Sequence, residues 1–327
     1  MSVQKPRITI VGLGLIGASI GMALRNSETA SMVIGHDKNS AASNKAKKLG
    51  AVDKTEWMLI PACEKSDLVI LAIPVGAIKD TLQAIGPYLR AGCVVLDTAS
   101  LKAPVLEWAD ELLSDQVHFV GGDPILAGTV AGQGGLEAAR VDLFQNGLFC
   151  VMPSKRAGSD AIKMVTDLVS ILGAKPLFHD PVEHDGLTAA VDQLPRVLAL
   201  ALLETTVSQP AWRELRKLAG PAFETGTHWA QPDPATVGQL CMLNRENLVR
   251  WIDAFSDSLT SIREALTEGQ AEPLAKRFES ALKQRNEWLQ SRSEGIWDEG
   301  LRTEIPKQSL LQPLLGGLAS RKSRKTP

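Results

Sequence analysis

Short apolar runs alternate with longer amphipathic stretches through the first half of the chain. Several of the runs have no polar alternation, which is typical of strands that are covered on both faces. This order is that of βαβ units and predicts a parallel sheet that ends near residue 178. The predicted strands are Arg7–Gly12, Met32–His36, Asp67–Ile73, Cys93–Asp97, His118–Gly122, Leu148–Met152 and Ala174–Phe178.

After Asp180 the strand pattern ends, and apolar residues recur at helical spacing. Gly and Pro residues indicate connecting loops at Gly220–His228 and Gln231–Pro234, and Asp233 is placed to start the next helix. We expect a tail at residues 301–327 to end as a solvated basic terminus. The predicted helices are His184–Thr206, Pro234–Glu268 and Glu272–Ser291.

A glycine-rich turn follows the first predicted strand. The segment Ile8–Gly17 places a GxGxxG motif directly after that strand, and the next residues continue as a helix. Gly12 allows a tight turn, Gly14 lets the backbone approach a pyrophosphate, and Gly17 permits close packing of the helix on the strand. The amides at the start of this helix favour phosphate. The residues predicted to bind a dinucleotide are therefore Gly12, Leu13, Gly14, Leu15, Ile16 and Gly17.

An acidic residue lies at the end of the second predicted strand. Asp37 is placed to accept both ribose hydroxyls of NAD and to repel the 2′-phosphate of NADP. NAD is therefore the expected cofactor, and the flanking His36 and Lys38 leave NADP possible. The whole pattern predicts an α/β Rossmann-type doubly wound parallel sheet over residues 1–180, followed by an all-α C-terminal domain over residues 181–300.

Composition and charge exclude several classes of protein. The chain has 327 residues, 44% of them hydrophobic, and a net charge of −2, which is not the basic footprint of a general nucleic-acid binder. We find no uncharged apolar run of about 20 residues for a membrane span and no signal-peptide pattern after Met1, so a cytoplasmic protein is expected. The four cysteines form no CxxC pair and are interpreted as reduced core thiols, with no metal site.

Several segments resemble, in order, those of the prephenate/arogenate dehydrogenase family. The likeness covers about residues 6–290. It is carried by Leu71–Val75 (LAIPV), Asp97–Lys102 (DTASLK), Gly122–Thr129 (GDPILAGT), Gly134–Phe144 (GGLEAARVDLF), Asp180–Asp185 (DPVEHD) and Asp192–Arg196 (DQLPR).

This resemblance implies an activity and an assembly. The family oxidises a cyclohexadienol with NAD or NADP, loses the ring carboxylate to give an aromatic product, and supplies the penultimate or last step to tyrosine. It implies a small ring substrate in the cleft between the two domains, and a homodimer formed through the helical domain. Asn244–Glu246 match a helix segment of the family and are interpreted as an interdomain or dimer contact, and His184 as packing at a helix entry.

Part of the family's site is intact at matching positions. The serine of its DxxSxK stretch matches Ser100, which is expected to hydrogen-bond the substrate hydroxyl or the catalytic group, with helix capping as the alternative. Lys102 beside it is expected to contact substrate. Ile73, Pro74 and Ser100 are expected to contact the cofactor.

Other positions depart from the family. Its HPMAG-like segment begins with the histidine that takes the proton of the ring hydroxyl, and here that position is Asp123. Its SHLPH segment becomes Asp192–Arg196, with Gln193 and Arg196 as the expected substrate-binding residues. Its FRDxTR-like arginines are absent, and His228 ends the aligned stretch. Asp123 is the candidate base, while Arg196 and His228 are expected to hold a carboxylate.

These departures leave the substrate open. An ordinary Asp is a weaker base than His by about 2.6 pKa units, or about 3.5 kcal/mol of driving force for proton transfer, unless burial raises its pKa. Asp123, Asp192 and Glu224 also oppose a substrate with two carboxylates and favour one that carries an ammonium group, as arogenate does. The alternatives are a relative recruited to another ring imine, ketone or alcohol, and a catalytically silent NAD-binding protein.

Overall fold

The chain forms two compact units. A computed structural model describes residues 5–128, 135–230 and 233–297. Of these described residues, one unit contains those up to His179 together with Lys283–Trp297, and the other contains those between Asp180 and Leu282. The segment Lys283–Trp297 therefore belongs with the first unit, whereas the sequence pattern places it in the helical domain. The expected tail at 301–327 and residues 231–232 lie outside the described residues.

The first unit is built on a single sheet. Its strands are β1 Arg7–Val11, β2 Met32–His36, β3 Lys54–Thr55, β4 Leu68–Leu71, β5 Val94–Asp97, β6 His118–Ile125, β7 Leu148–Pro153 and β8 Lys175–Phe178. Their spatial order is β3-β2-β1-β4-β5-β6-β7-β8. The chain winds outward from β1 in one direction and from β4 in the other, which is the doubly wound order expected from the sequence. The short β3 was not predicted.

Amphipathic helices connect these strands. They are α1 Leu15–Ser27, α2 Ser40–Lys48, α3 Leu59–Cys63, α4 Val75–Ile85, α5 Ala103–Leu112 and α6 Ser159–Ile171. Crossovers between parallel strands are right-handed, and the winding direction of the chain reverses between β1 and β4. The helices therefore cover both faces of the sheet. The central strands are therefore apolar on both faces, and Ile8, Ile10, Leu68 and Ile70 are completely buried.

Two strands, β7 and β8, run against the predicted direction, because β8 pairs with β7 in the parallel sense. β7 pairs with β6 in the antiparallel sense, with Asp123 opposite Cys150. A parallel pair needs a crossover, usually a helix, but in the described part of the connection only a short 3-10 turn, Leu136–Ala138, occurs. The pairing also extends β6 to Ile125, three residues beyond the predicted end at Gly122. The prediction of a wholly parallel sheet is corrected here.

The second unit is helical. Its elements are α7 Pro181–Thr188, a π-helical turn Ala189–Gln193, α8 Leu194–Val207, α9 Trp212–Leu218, α10 Pro221–Thr227, α11 Pro234–Leu243, α12 Arg245–Thr267 and the first part of α13 Ala271–Glu294. Asp233 caps α11 as expected, because its carboxylate accepts a bond from Ala235 N at 3.2 Å.

Three predicted boundaries in this unit are wrong. The helix predicted at His184–Thr206 is interrupted at the π-helical turn, where Pro195 has no N–H for the helical ladder. The helix predicted at Pro234–Glu268 breaks at Asn244. The loop predicted at Gly220–His228 contains α10, because Pro221 occupies a first-turn position where its missing N–H costs nothing.

The helical run Pro181–Val207 is apolar and long enough to cross a membrane by length and composition alone, and 22% of its most apolar window is buried. A helix in the core or interface of a water-soluble protein has the same properties. The exposed side chains of this run include Val191, Leu200, Leu202 and Val207.

The cysteines are unpaired, and three of them are buried. Burial raises the pKa of Cys63 to about 12, and burial is also the largest cause that raises the pKa of Cys93 to about 12. Partial burial raises the pKa of Cys241 as well. The folded chain therefore holds these groups as neutral thiols at neutral pH.

We expect iodoacetamide at pH 8 to modify Cys241 before Cys63 and Cys93 in the native protein, because thiolate is the reactive form and the latter two are 1% and 0% exposed. Mass spectrometry of the labelled peptides measures this order. Since the folded pKa is raised, the stability contributed by these thiols is present below pH 9 and is lost as the pH rises toward 12. Labelling of Cys93 as fast as in urea would contradict this expectation.

Candidate active site

The glycine turn after β1 is closed by backbone contacts that leave no room for side chains. Gly12 has φ +93°, and a Cβ atom there would lie 2.2 Å from Ala72 O. A Cβ atom at Gly17 would lie 1.9 Å from Gly12 O. Gly12 N donates to His36 O at 2.8 Å, which fixes the turn to the end of β2. Only glycine fits at these two positions.

Gly14 has a different environment from the other two glycines. It is the N-cap residue of α1, it is exposed, and no heavy atom lies within 4 Å of its potential Cβ position. A glycine cap supplies no side-chain acceptor, so the first amides of α1 are available to an anion together with the positive end of the helix dipole. This open cradle fits the pyrophosphate of a dinucleotide.

Asp37 is held beside this cradle. Its Oδ2 accepts a bond from Leu13 N at 2.8 Å, and its Oδ1 accepts a bond from Asn39 N at 2.8 Å. The carboxylate is half-buried, at the place where a ribose would meet the end of β2. A fixed negative charge there favours the free hydroxyls of NAD over the phosphate of NADP.

The remaining residues of the predicted cofactor site occupy three kinds of environment. Leu13 is completely buried against Gly35, so its side chain belongs to the core. Leu15 and Ile16 are half-buried at the start of α1. Ile73 and Pro74 follow β4 directly, and Ile73 packs beside Gly12. The carboxyl ends of β1, β2 and β4 thus bring together the turn, Asp37 and Ile73.

A second group of predicted residues follows β5. Ser100 is half-buried, two residues before Lys102, the N-cap residue of α5. Lys102 is completely buried: its ammonium bonds the carboxylate of Asp97 and donates to Gly122 O at 2.8 Å. This placement argues against the expected contact between Lys102 and substrate. It also argues against Ser100 as the helix cap.

Asp97 ends β5 and is completely buried. Its Oδ2 accepts a bond from Ala99 N at 3.0 Å, and its Oδ1 accepts one from Gly122 N at 3.3 Å. Burial raises the pKa of Asp97 above its usual value, while the Lys102 ammonium and the two amides oppose this rise. No role for Asp97 was predicted from the sequence, although Asp97 is the first residue of the DxxSxK stretch.

Asp123 lies within β6, where sequence analysis places it after the strand. Its residue is 6% exposed, because pairing with β7 continues past it to Ile125. The prediction that Asp123 follows the strand is therefore corrected. The candidate base belongs to a rigid strand, one residue after Gly122.

Gln193 lies in the π-helical turn of the second unit and is completely buried. Its Oε1 accepts a bond from Asn244 Nδ2 at 3.1 Å, and the same amide donates to Asp185 O at 2.8 Å. Among the described residues, Gln193 Nε2 has no acceptor. Asn244, which we interpreted as an interdomain or dimer contact, is thus bonded inside its own unit. His184 is buried and its Nδ1 lies 3.1 Å from Asp185 Oδ1.

Arg196 and His228 both lie beside Trp229. The Arg196 guanidinium lies 5.6 Å from the centre of the Trp229 ring, and the His228 ring centre lies 5.2 Å from it. Arg196 Nη2 also donates to Asp192 Oδ1 at 2.8 Å, while its Nε has no acceptor among the described residues. Asp192 therefore neutralises part of the charge of Arg196. Trp229 lies just outside the stretch that aligns with the family and was therefore not predicted as a site residue.

Two family models match most of the chain. Residues 20–177 match the description "Prephenate dehydrogenase, nucleotide-binding domain", and residues 180–280 match "Prephenate dehydrogenase, dimerization domain". The Bacillus subtilis prephenate dehydrogenase is 28% identical over 286 residues, which cover 86% of this chain and 76% of that protein. The Zymomonas mobilis cyclohexadienyl dehydrogenase is 25% identical, over 85% of this chain and 94% of that protein.

Solved structures of two dehydrogenases also match most of the chain. The prephenate dehydrogenase of Aquifex aeolicus, in complex with hydroxyphenyl propionate and NAD+, matches with a TM-score of 0.79 and 27% identity, over 88% of this chain and 99% of that chain. The Synechocystis arogenate dehydrogenase matches with a TM-score of 0.70 and 24% identity, over 86% of this chain and 99% of that chain. The second likeness concerns the fold alone.

We expect Gly14→Ala to leave the fold intact and to weaken NADH binding at least about tenfold, or about 1.4 kcal/mol. The new methyl group meets no protein atom but occupies the space above the helix start. Gly220→Ala is a matched control, because Gly220 is also an extended N-cap with nothing within 4 Å. Fluorescence titration and thermal unfolding measure both variants. Wild-type affinity in Gly14→Ala would contradict the assignment.

Proposed function

Because the chain belongs to the prephenate dehydrogenase family, we propose that it is an NAD-dependent dehydrogenase of a cyclohexadienol, either prephenate or arogenate. The oxidation removes hydride from the ring carbon that bears the hydroxyl group and releases the ring carboxylate as carbon dioxide. The observation that carries this proposal is the glycine cradle with Asp37, in a chain that matches both domains of the family.

The first unit supplies the cofactor site in this proposal. The amides at the start of α1 hold the pyrophosphate, and Asp37 holds the adenosine ribose. Ile73 and Pro74 border the same end of the sheet. When bound there, NAD accepts the hydride. Asp37 already accepts two backbone amides, so its carboxylate is fixed in position before a nucleotide binds.

Asp123 is the proposed base. It takes the proton of the ring hydroxyl as the carbon is oxidised, the role that the resemblance assigns to a histidine at this position. Asp123 is almost fully buried, which holds its carboxylate away from bulk water. A rigid strand position also keeps the carboxylate in one orientation. Ser100 is proposed to orient the same hydroxyl by hydrogen bonding.

The second unit supplies the proposed donors to the substrate's carboxylate. Gln193 offers a buried amide N–H₂, and Arg196 offers its Nε–H, neither with an acceptor among the described residues. His228 is exposed beside Trp229. A buried donor without an acceptor is costly and is stabilised by a ligand that supplies one. Because Asp192 is paired with Arg196, its negative charge repels a dicarboxylate substrate less than the sequence predicts.

We also propose that the protein is a homodimer formed through the second unit. The matched family domain is named a dimerization domain. The unit exposes apolar side chains that a second copy would cover, including Leu200, Leu259, Leu266 and Phe278. The four unpaired thiols fit the reducing cytoplasm as the place of action.

Purified protein with NAD should form NADH when prephenate or arogenate is added, measured as absorbance at the NADH wavelength. The rates of NADH formation with the two substrates at equal concentration show which substrate the second unit prefers. A protein that binds NADH but turns over neither compound would remove this activity and favour a relative recruited to another ring.

Asp123→Asn should lower turnover at least about tenfold, since a positioned acid-base group contributes about 10²–10⁴. NADH affinity should change less than twofold, because Asp123 lies on β6 and the cofactor residues follow β1, β2 and β4. Asp80→Asn on the exposed side of α4 is the control for loss of a carboxylate. Unchanged turnover in Asp123→Asn would return Asp123 to a structural role.

A further inference from the structure

A buried ion pair joins the end of β5 to Gly122 of β6, close in the chain to both proposed catalytic groups. Asp97 and Lys102 are both 0% exposed and bond each other. The Lys102 ammonium also donates to Gly122 O at 2.8 Å, and Gly122 N donates to Asp97 Oδ1 at 3.3 Å. The pair therefore links β5 to β6 through side chains as well as through the backbone.

Stability alone does not explain two fully buried charges. Removing both from water carries a large penalty, and apolar residues of similar size often serve a fold equally well. The pair has the hydrogen bonds that such a site requires, because Ala99 N and Gly122 N both donate to Asp97. The pair lies at the carboxyl end of β5 and beside Gly122 of β6.

The surroundings are shaped to let the pair approach the β6 backbone. A Cβ atom at Gly121 would lie 3.2 Å from Lys102 Cδ. A Cβ atom at Gly122 would lie 2.7 Å from Asp97 O and 2.6 Å from Phe149 Cε1. Two successive glycines in β6 therefore leave the space that the lysine stem and the end of β5 occupy. Both glycines lie in β6 immediately before Asp123.

The chain between the two charges carries Ser100. Asp97 lies three residues before Ser100, and Lys102 lies two residues after it. Bonding between Asp97 and Lys102 closes this segment into a short loop, and Ala99 N adds a bond inside it. The loop is thereby held against Gly122 and, through Gly122, against the residue that follows it.

We propose that Asp97 and Lys102 are positioning residues that set Ser100 and Asp123 in their working orientation. The inference rests on the proposed function, in which Ser100 and Asp123 act on the ring hydroxyl. Lys102 works through Gly122 and Asp97 and does not contact substrate. Small displacements of a positioned group reduce turnover strongly, while the cofactor residues after β1, β2 and β4 are untouched.

The test uses the full chain and three variants: Asp97→Asn, Lys102→Met, and the double variant. Lys102→Met leaves a buried carboxylate without its cation, so both the melting temperature and kcat should fall. The double variant removes both charges at similar volume, so the melting temperature should recover toward wild type. We expect its kcat to stay at least about tenfold low, with KM for NAD and NADH affinity within twofold of wild type.

Lys163→Met is the control, because it breaks an exposed pair with Asp167 on α6 and should leave kcat unchanged. A stable double variant with wild-type kcat would show that the pair serves the fold only and would overturn the proposal. If neither the double variant nor Asp97→Asn folds, the pair is a requirement of the fold, which also overturns it.

The proposed function is tested separately, by the turnover of the wild-type protein. If that function is wrong, the wild-type protein turns over neither prephenate nor arogenate. In that case backbone hydrogen exchange replaces kcat as the readout. The double variant should exchange faster in the peptides that contain Ala99–Lys102 and Gly121–Asp123, with β1, β2 and β4 unchanged. Exchange equal to wild type in those peptides would overturn the positioning role.

Discussion

The structure depends on one close approach of backbone to backbone, at the turn that follows β1. Gly12 lies against the carbonyl of Ala72, and Gly17 lies against the carbonyl of Gly12, at distances that exclude any Cβ atom. Because of these contacts, the start of α1 packs closely against the sheet between β1 and β4, where the strand order reverses. They therefore aim the free amides of α1 into open space at Gly14, where phosphate is bound in this fold.

The same end of the sheet holds the proposed chemistry through a different kind of constraint. The cofactor region is set by glycines and by the bonds of Asp37 to two amides. The segment after β5 is held against β6 by a buried charge, because the Lys102 ammonium bonds both Asp97 and Gly122 O. In the second unit, Asn244 fixes Gln193 in a π-helical turn. Asp37, Lys102 and Gln193 thus each have a partner that limits the orientation of the side chain.

The sequence predicted the parts that follow from local pattern. Gly12, Gly14, Gly17 and Asp37 were identified by spacing, since their roles depend on residues close in the chain. Long-range pairing was not visible in the sequence: β7 pairs antiparallel to β6 and draws Asp123 into a strand. Likewise Lys102 was expected to contact substrate, but it is completely buried and bonds Asp97 and Gly122 O. The π-helical turn arises at Pro195, which the helical period alone does not reveal.

The central claim is that the turn after β1 binds an adenine dinucleotide. Isothermal titration of the purified wild-type protein with NAD+ and with NADH tests it most directly. The account predicts saturable binding of one nucleotide per chain, and weaker binding of the 2′-phosphorylated forms because of Asp37. No heat of binding and no thermal stabilisation with either form of the coenzyme would contradict it.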